Sequence, residues 1–272
     1  MKNKSKLLAL PYTIWMALFI IAPIVIVVIY AFHTSDGAFT MENFSGMMTY
    51  LPVFTRSFYL AIVATILCVL LGYPLAYILA HYGQRYQKIF LLLVILPMWM
   101  NFLLRTYAWM SILENTGLLN RLLVFLGFDP ISIINTQSAV VLGMVYNFLP
   151  FMVLPIYSVI TKIDRSLIEA AQDLGASPVQ VFFRVIFPIS LPGVLSGVTM
   201  VFVPSVSTFI ISKLLGGGKF MLLGDLIESQ FLGAAYNPYL GSAISLVMMI
   251  IVSLCIWLMN KFGDGGESAV ML

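Results

Sequence analysis

Charge is what this sequence has least of. Only 9 % of its 272 residues are Asp, Glu, Lys or Arg, against about a quarter in an ordinary soluble domain. With 61 % of the residues hydrophobic, that shortage excludes a water-soluble globule, because one soluble core cannot hide so much apolar surface. Cysteine is nearly absent, and Cys68 and Cys255 each sit inside an apolar run, which supports neither a disulfide framework nor a thiolate zinc site. A G-x4-G-K-[ST] phosphate loop is missing, so any nucleotide hydrolysis has to come from another chain. The apolar runs hold no ionisable residue except Arg105. Proton- and sodium-driven carriers keep such costly groups for function, so their absence points to an external motor. The net charge of +3 is too weak and scattered for a nucleic-acid footprint.

What the chain has instead is length of hydrocarbon. Six runs, near 10–32, 57–80, 89–111, 138–160, 188–212 and 240–260, can each cross a bilayer, and the mean hydropathy is +1.02. Each must be helical, since hydrocarbon offers no water to a bare amide. Lys2, Lys4 and Lys6 precede a run that continues to Phe32 without a small-residue cleavage site, which reads as a retained signal anchor. Lys2, Lys4, Lys6, Arg85, Lys88, Lys162, Arg165, Arg184 and Lys261 share one side; Arg56, Arg121, Lys213 and Lys219 share the other. Nine against four places both termini in the cytoplasm. The expected fold is an all-α polytopic membrane protein of six spans with N-in, C-in topology. His33 and His81 fall at opposite faces and read as interfacial residues.

The inner stretch 161–187 is too well punctuated to be a connector. Asp164 is placed to cap a helix whose residues Leu167, Ile168, Ala171 and Leu174 share an apolar face, and Gly175 supplies its stop. Ser177, Pro178 and Gln180 then make a capping box for a second helix that runs into Pro188 and the fifth span. The result is a cytoplasmic hairpin with one face for the membrane domain and one for a partner; the plainer alternative is an interfacial anchor.

Glu169-Ala170-Ala171, three residues, Gly175, nine residues, and Val185-Ile186-Phe187-Pro188 resemble the E-A-A-x3-G-x9-I-x-L-P motif of permeases in binding-protein-dependent ABC importers. Val185 and Phe187 are the departures, apolar for apolar. The resemblance implies a type-1, MetI-like transmembrane domain over 57–260, with 1–56 as the first helix and outer loop and 261–272 as a cytoplasmic tail. It further implies that Glu169, Ala170, Ala171, Gly175 and Pro188 couple the chain to a cytoplasmic ATPase. Tyr73-Pro74-Leu75-Ala76-Tyr77, Leu96–Asn101 with Arg105-Thr106-Tyr107, and Phe148–Tyr157 are similar to the spermidine/putrescine permeases, on the side of the first of their two paralogous subunits.

That similarity implies a subunit of a bacterial inner-membrane importer that is not itself an enzyme. It binds no cofactor of its own, ATP-Mg residing in an ATPase dimer; its other partners are a related permease chain and an extracytoplasmic polyamine-binding protein. A permease for another small solute, or a membrane anchor or sensor that recruits a cytoplasmic partner, are the alternatives. A polyamine needs acceptors and ring faces, for which Trp99, Asn101, Tyr107 and Tyr146 are candidates, with Glu114, Asp225 and Glu228 on outer segments. Packing or an interfacial belt is the plainer role for the aromatics, and a solvated loop surface for the acids. Asp225 and Glu228, three apart in a short helix within 219–232, share a face. Arg105 is expected to snorkel to the outer interface or, if it does more, to pair with an acid such as Glu114 or fix an outer gate. Span five is expected to line the route, since it holds Pro192, Pro204, Gly193-x3-Gly197 and the hydroxyls of Ser205, Ser207 and Thr208.

Overall fold

The computed structural model describes residues 11–81, 84–233 and 235–270; Lys2, Lys4 and Lys6, used above for orientation, lie outside them. Among the described residues the chain is built from helices, with one isolated antiparallel bridge between His33 and Phe39. In chain order these are α1 (Pro11–Ala31), α2 (Glu42–Met47), α3 (Leu51–His81), α4 (Gln84–Trp99), α5 (Phe102–Leu113) and α6 (Leu118–Phe125). They continue as α7 (Gln137–Ile160), α8 (Arg165–Asp173), α9 (Pro178–Ser207), α10 (Ile210–Leu215), α11 (Leu223–Leu232) and α12 (Pro238–Val270).

α1, α3, α7, α9 and α12 are each long and apolar enough to cross a membrane. The expected third span, 89–111, is not one helix. It stops at Trp99 and restarts at Phe102 after a 94° bend. α4 has 16 residues, but its apolar part, 89–99, rises only about 16 Å, roughly half of the hydrocarbon thickness, before the chain turns aside. The fifth span also moves: it begins at Pro178 rather than near 188 and ends at Ser207 rather than 212. The second starts at Leu51, which puts Arg56 inside a helix rather than in the outer loop.

Two spans carry a π-helical turn, Ala17–Ile21 in α1 and Phe182–Ile186 in α9. In both, the turn closes one residue before a proline, Pro23 or Pro188, through Ala22 N–H to Ala17 O and Phe187 N–H to Phe182 O. A proline inside a helix removes a donor and crowds the carbonyl four residues back. Widening the turn by one residue relieves that crowding.

The described residues cluster into two compact units, one of 11–53 and 226–253, the other of 54–225 and 254–270. In the first, Ala31, Ala243 and Leu246 are buried with Phe32 and Phe44 packed against them. In the second, Leu60, Ala64 and Cys68 of α3 meet Met144, Met152 and Ile156 of α7, Val201 of α9 and Ile211 of α10. α9 lies close along α7 through Gly193 and Gly197. A Cβ at these positions would come within 2.9 Å of Pro155 O and 2.7 Å of Met152 Sδ, the small-residue approach expected of that glycine pair.

Candidate coupling hairpin and pathway elbow

The hairpin forms as its punctuation requires. Asp164 accepts from Ser166 N–H at 3.0 Å and caps α8; the Ser166 backbone and hydroxyl hold its carboxyl below the usual carboxylate range. At the other end Gly175 takes φ +82°, with Gly175 N–H on Gln172 O and Ala176 N–H on Ala171 O, a Schellman stop. Ser177 and Gln180 complete a reciprocal capping box, with Ser177 N–H on Gln180 Oε1 at 2.8 Å, and Pro178 takes the first helical position. No residue of α8 is buried. Glu169 and Ala170 are exposed, and Leu174 stands 89 % exposed. Leu174 thus stands as an apolar side chain open at the apex of the hairpin.

Behind the apex the hairpin is seated, not loose. The rings of Tyr73 and Tyr77 on α3 meet Phe182 edge-on, with centroids 5.8 and 5.1 Å apart. Tyr73 also contacts Phe187. Its hydroxyl donates to Ser190 Oγ at 2.8 Å, buried, and Ser190 donates to Phe187 O. The π turn that carries the hairpin into α9 therefore rests on two tyrosines of the second span. The sequence named Tyr73 and Tyr77 only as part of a string; nothing local marks Ser190 as their partner.

The second constellation is the elbow of the broken third span. Asn101 caps α5 by accepting from Leu103 N–H at 2.9 Å and Leu104 N–H at 3.3 Å. Trp99, at the corner, is 76 % exposed, and Asn101 and Tyr107 are also exposed. Arg105 does not snorkel and does not meet Glu114. It is 7 % exposed and donates from Nη1 to Pro97 O at 2.6 Å, between the rings of Phe102 and Tyr146, each 5.8 Å from the guanidinium carbon. The reason is local: α4 ends just past Pro97, and an end carbonyl without an intrahelical partner is a strong acceptor for a buried guanidinium.

The remaining predicted residues scatter. Tyr146 stacks on Trp109 with centroids 5.0 Å apart and packs beside Arg105. Ser205 and Thr208 are buried while Ser207 is exposed. Ser205 donates to Val201 O and Ser207 to Val203 O, not to the Met200 carbonyl that Pro204 frees. Asp225 and Glu228 both lie on α11 as expected, but Asp225 is buried and accepts from Leu222 N–H at 2.9 Å, capping that helix rather than forming a solvated surface. Two anchors went unread. Buried Asn120 on α6 donates to Glu114, Asn115 and Ile131 carbonyls and accepts from Ile131 N–H, closing the outer loop. Asn147, buried in α7, donates to Gly143 O.

Comparison with known proteins decides what this arrangement is. Residues 69–265 match the family model described as the binding-protein-dependent transport system inner membrane component. The chain belongs to that family. It is an integral membrane permease component, and its helices supply the spans. The spermidine/putrescine transport system permease protein PotB of Haemophilus influenzae is 40 % identical over 253 residues, covering 89 % of this chain and 88 % of its own. PotB of Escherichia coli is 40 % identical over 250 residues, covering 88 % and 90 %. Among solved structures, a bacterial ABC transporter that imports the acidic polysaccharide alginate shares the fold at a TM-score of 0.78 and 18 % identity, covering 97 % of this chain and 96 % of that one. The MetNI methionine ABC transporter does so at 0.61 and 19 %, covering 82 % and 98 %.

Proposed function

We propose that this permease is one half of the membrane pathway of an ATP-driven polyamine importer, and that it carries spermidine or putrescine inward with a related second permease, an ATPase dimer and an extracytoplasmic binding protein. The identity to spermidine/putrescine permeases along nearly the whole chain supports the substrate class. The observation that carries the mechanism is the hairpin: capped at both ends, bare at Glu169, Ala170 and Leu174, and seated on Tyr73 and Tyr77 where it enters α9.

ATP-driven closure of the ATPase pair pulls the hairpins of the two permeases together. The capping box makes the hairpin apex and the start of α9 move as one piece, and the Tyr73–Ser190 bond links that piece to α3. Gly193 and Gly197 hold α9 close against α7, so movement of α9 is passed to α7. Trp99, Asn101 and Tyr107, exposed around the elbow, are the pathway surface of this chain, presenting rings and an amide to a flexible cation. Irregular backbone at membrane depth is tolerated where it lines a cavity or meets protein, and the elbow is such a place. Tyr146 supports that surface from behind, through its contacts with Arg105 and Trp109.

The test is uptake of labelled spermidine and putrescine by cells lacking the chain and by the same cells complemented with it. Complementation by the wild type, and loss of accumulation with Glu169→Lys or Gly175→Asp in protein that still inserts, is the expected result. Accumulation undiminished by either substitution overturns the coupling role. Uptake of neither amine by the complemented cells overturns the substrate class.

A further inference from the structure

The unit formed by 11–53 and 226–253 contains a feature that the coupling and elbow do not use. At its outer end, where α1 finishes and α12 begins, a cleft of about 520 Å³ opens among Tyr30, Thr34, Asn43, Tyr236, Asn237 and Tyr239. That volume falls inside the range of small-molecule sites, roughly 300–1,000 Å³. Tyr30 and Tyr239 form one wall, ring centroids 5.3 Å apart and 33° from parallel.

Asn43 is set to accept, while the carbonyl oxygen of Asn237 is taken by Leu240 N–H at 3.1 Å. Asn43 spends its amide hydrogens on Ala31 O and His33 O, both at 3.0 Å, which leaves its carbonyl oxygen as the group it can still offer. Asp36 follows the lining residue Ser35 in the chain, and Glu42 precedes Asn43. Neither carboxylate is paired with a basic side chain among the described residues. In this whole unit the described charges are Asp36, Glu42 and Glu228, with no lysine or arginine. Rings, acceptors and one sign of charge together describe a receptor for a soft organic cation.

We infer that this outer cleft, at Tyr30, Tyr239, Asn43 and the flanking Asp36 and Glu42, is a binding site for an alkylammonium group. Its link to transport rests on the function proposed above; the cation chemistry rests on the cleft alone. The ammonium sits over the tyrosine pair, its methylenes lie along Tyr236, and the carboxylates draw it in from solution. It comes either from a free polyamine arriving at the outer face or from a lysine of the docking binding protein.

The experiment uses the complete transporter in lipid nanodiscs, as wild type, Tyr239→Phe, Tyr239→Leu and the surface variant Asp36→Asn/Glu42→Gln. One arm measures retention of labelled spermidine without binding protein; the other measures affinity for the binding protein at low and high salt. If the ammonium is free polyamine, Tyr239→Leu weakens spermidine retention about three- to tenfold, Tyr239→Phe keeps it, and the acid pair weakens it at low salt. If it is a lysine, the binding-protein arm shows the same pattern and the spermidine arm does not move. Either pattern supports the site. Wild-type values in both arms for Tyr239→Leu and the acid variant overturn it. If wild-type transporter carries no polyamine at all, the proposed function fails by itself, and retention of labelled butylamine by the same four proteins decides the site.

Discussion

The cytoplasmic hairpin and the elbow of the third span are both places where one helix stops and another starts, and they meet the same need by different means. A helix end leaves carbonyls and amides without partners. In the hairpin, small local devices serve: Asp164, Gly175, and the pair Ser177 and Gln180, all within two residues of the ends they cap. In the elbow the chain adds to a local cap, Asn101, a buried arginine bonded to Pro97 O. The hairpin is made with turn chemistry alone; the elbow adds a buried charge.

That difference sets the order of effects. Arg105→Ala removes a charge-assisted hydrogen bond and leaves a hole between Phe102 and Tyr146, so it should cost about 1.5–3 kcal/mol, read as a lower unfolding temperature in detergent. A cysteine at exposed Met100 should react faster with an aqueous thiol reagent in the same background. No change in either reading removes the guanidinium from its role and with it the contrast. Gly175→Val forces a β-branched residue into φ +82°, a strain of about 1–2 kcal/mol. Because α8 buries nothing, the loss should appear in ATP-driven uptake while the unfolding temperature holds.

Asn101→Ala and Ser177→Ala each delete one cap, about 1 kcal/mol. The first is expected to lower global stability, and the second to weaken coupling alone; equal effects on both readings would erase the distinction drawn here. The smallest effect concerns acid. Asp164 has its carboxyl pulled below its ordinary value by Ser166, so the contribution of this cap is complete above the unfolded carboxyl value, about 4. It is lost as pH falls through the lower folded value. Hairpin protection in hydrogen exchange should be flat from pH 8 to 5 and decline below about 4, and Asp164→Asn should remove that decline.

How far the sequence could be read follows the same line. The hairpin was legible almost residue by residue, because caps, stops and a capping box act over three or four positions. The spans were legible in number and place, but the third was read as a plain helix. Pro97 and Asn101 are each tolerated inside a membrane helix, and only their combination with Arg105, eight residues beyond the carbonyl it binds, makes a corner. Asp225 was read as an outer surface acid, yet its position three residues after Leu222 is that of a capping acid. The seat of the hairpin joins Tyr73 to Ser190 across 117 residues, and no pattern in one sequence announces such a pair. The outer cleft escaped for the same reason, its walls coming from opposite ends of the chain.

In the proposed transporter the hairpin is gripped by a separate ATP-hydrolysing chain. A photo-crosslinker placed at exposed Ala170 in the intact transporter, followed by identification of the adduct, tests it directly. An adduct with an ATPase subunit is expected, altered by nucleotide and lost together with uptake in Gly175→Asp. Continued ATP-driven polyamine uptake by a transporter whose Ala170 crosslinks to lipid alone would contradict it.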